Sequence, residues 1–186
     1  MDEDAFFREI TDKVLALGAY KAAVMGVSEV SADESFRKLC EQNVCGNYGK
    51  NWACPPDAGE IGALMKELRS YKYILLYQIV GKLEDSFDFE GMMAAAKRHS
   101  ELVLAVSAYA KTLPFKRHLS LGAGGCTICE KCARKTDEPC RHPDKRIPSL
   151  EAYGVNVSKT AESAGMKYIN GQNTVTYFGG VLFDLI

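Results

Sequence analysis

Seven cysteines fall into two short crowds, and that grouping constrains the chain more than anything else in it. Cys40, Cys45 and Cys54 lie within CEQNVCGNYGKNWACPP (40–56), and Cys126, Cys129, Cys132 and Cys140 within GGCTICEKCARKTDEPC (124–140). Glycines and prolines beside the thiols mark irregular segments, so the expected fold must carry two cysteine-bearing loops, at 40–56 and 124–148. The start, MDEDAFFREI, is acidic and shows no basic region before an apolar run, which reads as a chain without a secretory signal. Apolar stretches such as ILLY (74–77) are far too short for a bilayer, so a cytoplasmic protein with no membrane partner is expected. In a reducing cytosol the cysteines stay thiols. Seven is also an odd number, and 186 residues bury a sizeable core without covalent staples. Thiols grouped this way point to metal.

The later crowd reads Cys126-x2-Cys129-x2-Cys132-x7-Cys140. Thiolates at successive three-residue intervals let a loop wrap an inorganic cluster, as in the bacterial ferredoxin run C-x2-C-x2-C-x3-C-P. A single zinc is more often held by two Cys-x2-Cys pairs across a long spacer, and that second pair is missing here. The favoured cofactor is a [4Fe–4S] cluster on Cys126, Cys129, Cys132 and Cys140, with zinc as the alternative and free redox thiols as a third reading. Arg141 rather than proline follows the fourth cysteine, and the last spacer is longer, which leaves Cys140 open to either crowd.

Cys40-x4-Cys45-x8-Cys54 offers three thiols, enough for a second metal centre with an open coordination position. Cys40 reads equally well as a small apolar residue on a helix face, whereas Cys45 and Cys54 sit in loop. Pro55-Pro56 is expected to hold the backbone extended after Cys54, while Gly46 and Gly49 permit tight turns beside Cys45. Gly124 and Gly125 would let backbone N–H groups approach sulfur. Tyr48 and Trp52 either shield a metal or pack on the core. Of the histidines, His99 reads as structural, and only His142, close to Cys140, is placed to substitute as a ligand.

The net charge of −1 excludes a globally basic nucleic-acid binder. Locally, Lys131, Arg134, Lys135, Arg141, Lys145 and Arg146 outnumber Glu130, Asp137, Glu138 and Asp144, a surplus that would offset an anionic cluster.

Apolar periodicity predicts helices over 4–17, about 33–40, 58–71, 89–113 and 156–165, and a helical turn at PSLEAYG. Strands are predicted over 19–28, 71–81, 118–122 and 173–186, with Gly179-Gly180 marking a bulge or bend. The expected fold is a single α/β or α+β domain over residues 1–186, a central mixed sheet of about five strands covered by helices.

At CGNYGKNWACPP, GGCTICEKC and PCRHPDKRIPSLEAYGVNV the chain resembles a bacterial and archaeal family of predicted metal-binding proteins carrying a domain of unknown function, DUF 2284. The likeness covers nearly the whole chain, from about the first strand to the C-terminus, and the family's pattern is matched at Cys45, Cys54, Cys126, Cys129, Cys132, Cys140 and the segment Pro148 to Gly154. It implies metal binding, as iron–sulfur, in anaerobic metabolism, and names no reaction. Together the residues and the resemblance predict an iron–sulfur protein of electron transfer, or an iron–sulfur oxidoreductase, carrying one [4Fe–4S] cluster or two. Its counterpart would be a redox partner protein or a small-molecule substrate. The competing readings are a zinc-stabilised module whose basic loop, Lys131 to Arg146, meets an acidic partner or nucleic acid, and a thiol-based metal carrier.

Overall fold

Nine segments carry enough periodicity to become regular structure, and the computed structural model, which describes residues 2–186, contains all nine. Helix α1 (Glu3–Ala16) begins where the Asp2 carboxylate accepts the N–H groups of Asp4 and Ala5, two donors a helix start leaves unpaired. Strand β1 (Lys21–Gly26), short helix α2 (Phe36–Glu41), helix α3 (Ile61–Ser70) and strand β2 (Tyr73–Lys82) follow. Helix α4 (Phe89–Ala110) opens on Asp88, whose carboxylate accepts the Gly91 N–H, and Pro114 lies just beyond its end. Strand β3 (Phe115–Leu121), helix α5 (Val157–Ser163) and strand β4 (Thr174–Leu185) complete the chain.

The sheet has four strands in the order β1-β2-β4-β3, and every neighbouring pair is antiparallel. That corrects the expected mixed sheet of about five. Helix α4 does carry the chain from β2 to a β3 running the same way, but β4 inserts between them, antiparallel to both. The alternation of side chains along β2 splits the apolar core in two. Leu75, Tyr77 and Ile79 face α1 and α4, meeting Ile10, Val106 and Phe183. Ile74 and Leu76 face α3, α5 and the segment around Leu150, Tyr153 and Val155. With both faces covered, β2 is apolar from Tyr73 to Tyr77 and again at Ile79 and Val80, as a central strand demands, and buried Gln78 is the polar exception.

Gly179 and Gly180 make no bulge: the β2–β4 ladder keeps its register from Tyr73↔Phe183 to Lys82↔Thr174. Gly179 answers a packing need instead, since a Cβ there would lie 2.5 Å from the ring of Tyr77. The register shift falls in β3, between Phe115 and Arg117.

Two consequences bear on the cysteines. Strand β3 ends at Leu121, opposite Gly180 at mid-sheet, and the chain leaves into the long cysteine loop before Ser149 returns to bridge Gly122. The other cysteine loop joins α2 to α3 on the face that packs against Leu150. Among the described residues no helix is long and apolar enough to cross a membrane.

Candidate metal centre

The two cysteine loops dock on one another through polar contacts. The Asn51 amide donates to the Cys126 carbonyl at 2.9 Å, while its oxygen accepts the Ala53 N–H at 3.0 Å. The Trp52 indole donates to the Glu138 carbonyl at 2.9 Å. Arg134 pairs with Asp57 at 2.8 Å and also meets Asp137. Gly125 lies against these contacts: a Cβ there would come within 3.0 Å of the Asn47 and Asn51 amides. Its smallness therefore serves loop docking, a reason different from the predicted approach of N–H groups to sulfur. Gly46 and Gly49 do adopt positive φ beside Cys45. Beyond Cys54 the chain does not run extended. The Pro55–Pro56 peptide is cis, and the Ala58 N–H returns to the Cys54 carbonyl at 2.8 Å.

All seven cysteines are free thiols, and they line two hollows. Cys126, Cys129, Cys132 and Cys140 share one, walled by Trp52, Ile128 and Ala133, with Arg141, His142 and Arg146 at its margin. Cys140 thus stands with the triplet. Cys40, Cys45 and Cys54 share the other, beside Tyr48, Ser149 and Glu151. None of the seven belongs to either apolar core, although Cys54 is buried. A further recess links the hollows, sharing Cys126, Cys129 and Cys132 with the four-thiol one and Asn47 with the three-thiol one.

Among the described residues no three histidine, cysteine, aspartate or glutamate side chains converge as one metal ion would require. Thiolates on a single tetrahedral ion at about 2.3 Å lie only about 3.8 Å apart. Side-chain torsions must therefore turn before either group of thiols could close on a lone ion.

The electrostatics agree with a cation-demanding site. Burial pushes the Cys54 thiol up to about 12, and the neighbouring Cys45, Cys40, Cys126 and Cys132 add to the rise. Cys40 is raised mainly by burial, against a lowering pull from Arg37. Cys126 is raised by burial and by Cys132, Cys140 and Cys129, while a hydrogen bond from the Ile128 N–H favours its thiolate. Thiols that oppose one another's ionisation are held neutral until a cation reverses the balance, so metal uptake here releases protons.

Some residues of the site were invisible in the spacing. Asn47, Asn51 and Glu151 reach it only through tertiary docking. The signal for Glu151 was an acidic residue inside the otherwise apolar turn PSLEAYG. Among the basic residues, Arg134 and Arg141 are engaged in ion pairs with Asp57 and Glu138, so they brace the loop rather than face the thiols as free cations. His99 is buried in α4 with Nε2 bonded to the Phe178 carbonyl at 2.9 Å, a structural role, whereas His142 borders the four-thiol hollow. No curated protein and no solved structure matches the chain. A family model does match, over residues 23–183, and the chain belongs to that family, described as predicted metal-binding protein (DUF2284).

Proposed function

We propose that the protein is an iron–sulfur protein in which Cys126, Cys129, Cys132 and Cys140 ligate a [4Fe–4S] cluster, while Cys40, Cys45 and Cys54 hold a second metal centre. The observation that carries the reading is that four thiols spaced x2, x2, x7 line one small hollow. A bound cluster would supply one-electron transfer. The chain's own residues do the rest. Trp52, fixed through its indole N–H, Ile128 and Ala133 exclude water from one side of the sulfurs. The Ile128 N–H stabilises negative charge on Cys126, a hydrogen bond of the kind that tunes a cluster's potential. Electrons would pass to a redox partner protein, or to a small molecule at the three-thiol hollow that adjoins.

Zinc is the second reading, and the same Ile128 N–H to Cys126 contact suits a Cys-x2-Cys knuckle equally well. Anaerobic purification followed by iron, zinc and acid-labile sulfide analysis decides between them. Iron and sulfide in near-equal amounts, with a brown protein that bleaches on reduction, are expected. Stoichiometric zinc without sulfide in a colourless protein overturns the iron–sulfur reading. Cytoplasmic residence is part of the same proposal, because air-sensitive clusters on half-exposed thiols need a reducing compartment.

A further inference from the structure

The three-thiol hollow contains one group that thiol chemistry does not explain. Glu151 lines it with Cys40, Cys45 and Cys54, yet its Oε2 is closed off from solvent and has no hydrogen-bond partner. Burial raises the Glu151 carboxyl, and the Glu151 backbone N–H and the Ser149 hydroxyl only partly oppose that rise. No cation pairs with it among the described residues. A buried oxygen with no partner costs free energy whether the carboxyl is ionised or protonated, since a protonated Oε2 would still need an acceptor. The hollow offers three thiols, weak hydrogen-bond partners at best, together with Asn47, Tyr48 and Ser149, and none of them bonds Oε2.

We infer that Glu151 is the fourth ligand of the three-thiol centre. The four side chains line one hollow without yet converging on a point, and side-chain rotation on binding would bring Oε2 and the sulfurs of Cys40, Cys45 and Cys54 into a three-sulfur, one-oxygen set for a divalent ion. The inference rests on the reading of those cysteines as a metal centre and adds the donor that completes it. The elements present the set from three directions. Helix α2 supplies Cys40, the loop to α3 supplies Cys45 and Cys54, and the turn Glu151–Tyr153 supplies the carboxylate. A set with three thiolates selects a borderline or soft ion such as Fe2+ or Zn2+ over Mg2+ or Ca2+. Three thiolates and a carboxylate carry four negative charges against two, and the excess needs a cation nearby. Buried Arg37, one turn before Cys40 on α2, meets that need while its Nη2 donates to the carbonyls of Gly59 and Ala152.

The test uses Co2+ as the probe ion on the full chain, reduced and metal-free, comparing wild type with Glu151→Gln and Cys45→Ser. Cys45 is exposed, so its serine variant removes a ligand without opening a core. Wild type is expected to take up more cobalt than Cys45→Ser, and the difference isolates the three-thiol centre. In Glu151→Gln the thiolate-to-cobalt charge-transfer intensity per ion of that centre is expected to persist. The visible ligand-field bands should shift, and affinity should fall at least about tenfold, no less than losing an outer-sphere partner costs. Unchanged bands and affinity in Glu151→Gln, with Cys45→Ser still deficient, would overturn the carboxylate ligand and leave the three-thiol reading standing. Identical cobalt uptake by wild type and Cys45→Ser would overturn both. Should Glu151→Gln fail to fold, wild type grown with glutamate carbon-13 labelled at the side-chain carboxyl serves instead. Electron–nuclear double resonance on its cobalt form is expected to show a carbon coupling absent from Cys45→Ser, and no such coupling overturns the inference.

Discussion

Asn51 carries more of the site than its modest side chain implies. It is nearly fully buried, and one amide joins the Cys126 carbonyl to the Ala53 N–H, so a single residue sets the distance between two loops remote in sequence. Asn51→Ala leaves the Ala53 N–H buried without a partner and hands the part-buried Cys126 carbonyl to water, and the expected loss is about 1–3 kcal/mol, the cost of one orphaned group. Urea denaturation of the metal-free variant against metal-free wild type measures it directly. A loss below a few tenths of a kcal/mol would mean that water replaces the amide and the loops are not registered by Asn51. The same variant is expected to load its thiols more slowly, because two sets of ligands must find their geometry without the tie.

At the scale of elements, the interface between α4 and β4 yields two measurable consequences. His99 projects from α4 onto the Phe178 carbonyl, and burial holds its imidazole down near 4, below the ordinary 6.5, with the hydrogen bond working against that drop. The unfolded chain therefore binds a proton that the folded chain refuses. Stability is full above about pH 6.5 and declines as the pH falls towards 4, by about 3 kcal/mol in all for a shift of this size. Comparing the pH dependence of unfolding in wild type and His99→Gln isolates the slope, which the variant should lack between those limits. Gly179 gives the second consequence. Tyr77 is fully buried and cannot swing from an added Cβ, so Gly179→Ala should cost about 3 kcal/mol by overpacking. Gly62 of α3 has open space around it, and Gly62→Ala should instead stabilise by up to about 1 kcal/mol. The contrast shows where sequence reading succeeds. Helices α1 and α4 and strands β2 and β4 were legible because apolar spacing and end signals are local, and the thiol groups were legible because their spacing is covalent. The insertion of β4 between β2 and β3 was not, since strand order is decided by pairing between distant segments. The purpose of Gly179 was misread for the same reason: a lone sequence shows a missing side chain but not the Tyr77 ring that occupies its place. Asn51 and Glu151 escaped notice because their partners lie across the docked loops.

For the whole molecule the question is how far the metal holds the fold together. Both apolar cores are built from the sheet and its helices, and neither includes a cysteine. Cys40 sits at the end of α2 and the other six thiols in the two loops, all outside those cores, and the loops are joined by a few polar ties and one partly buried ion pair between Arg134 and Asp57. Free energy of metal binding should thus be spent on ordering the loops, not on forming the sheet. Stripping the metal with a chelator under reducing conditions is expected to leave the far-ultraviolet circular dichroism nearly unchanged and the amides of β2 and β4 protected from exchange. Protection should be lost over 43–59 and 123–147, and the two segments should lose it together, because each is the other's docking surface. Raising the pH of the stripped protein above about 9 should loosen these segments further. A Cys54 thiol held near 12 in the fold ionises more readily when released, so the docked state loses stability between those values. Global unfolding on chelation would reverse the ranking and make metal a condition of folding, as in small zinc-dependent domains. Loss of protection in only one of the segments would show that the loops order independently, and the shared border of the two hollows would then carry no coupling between their metals.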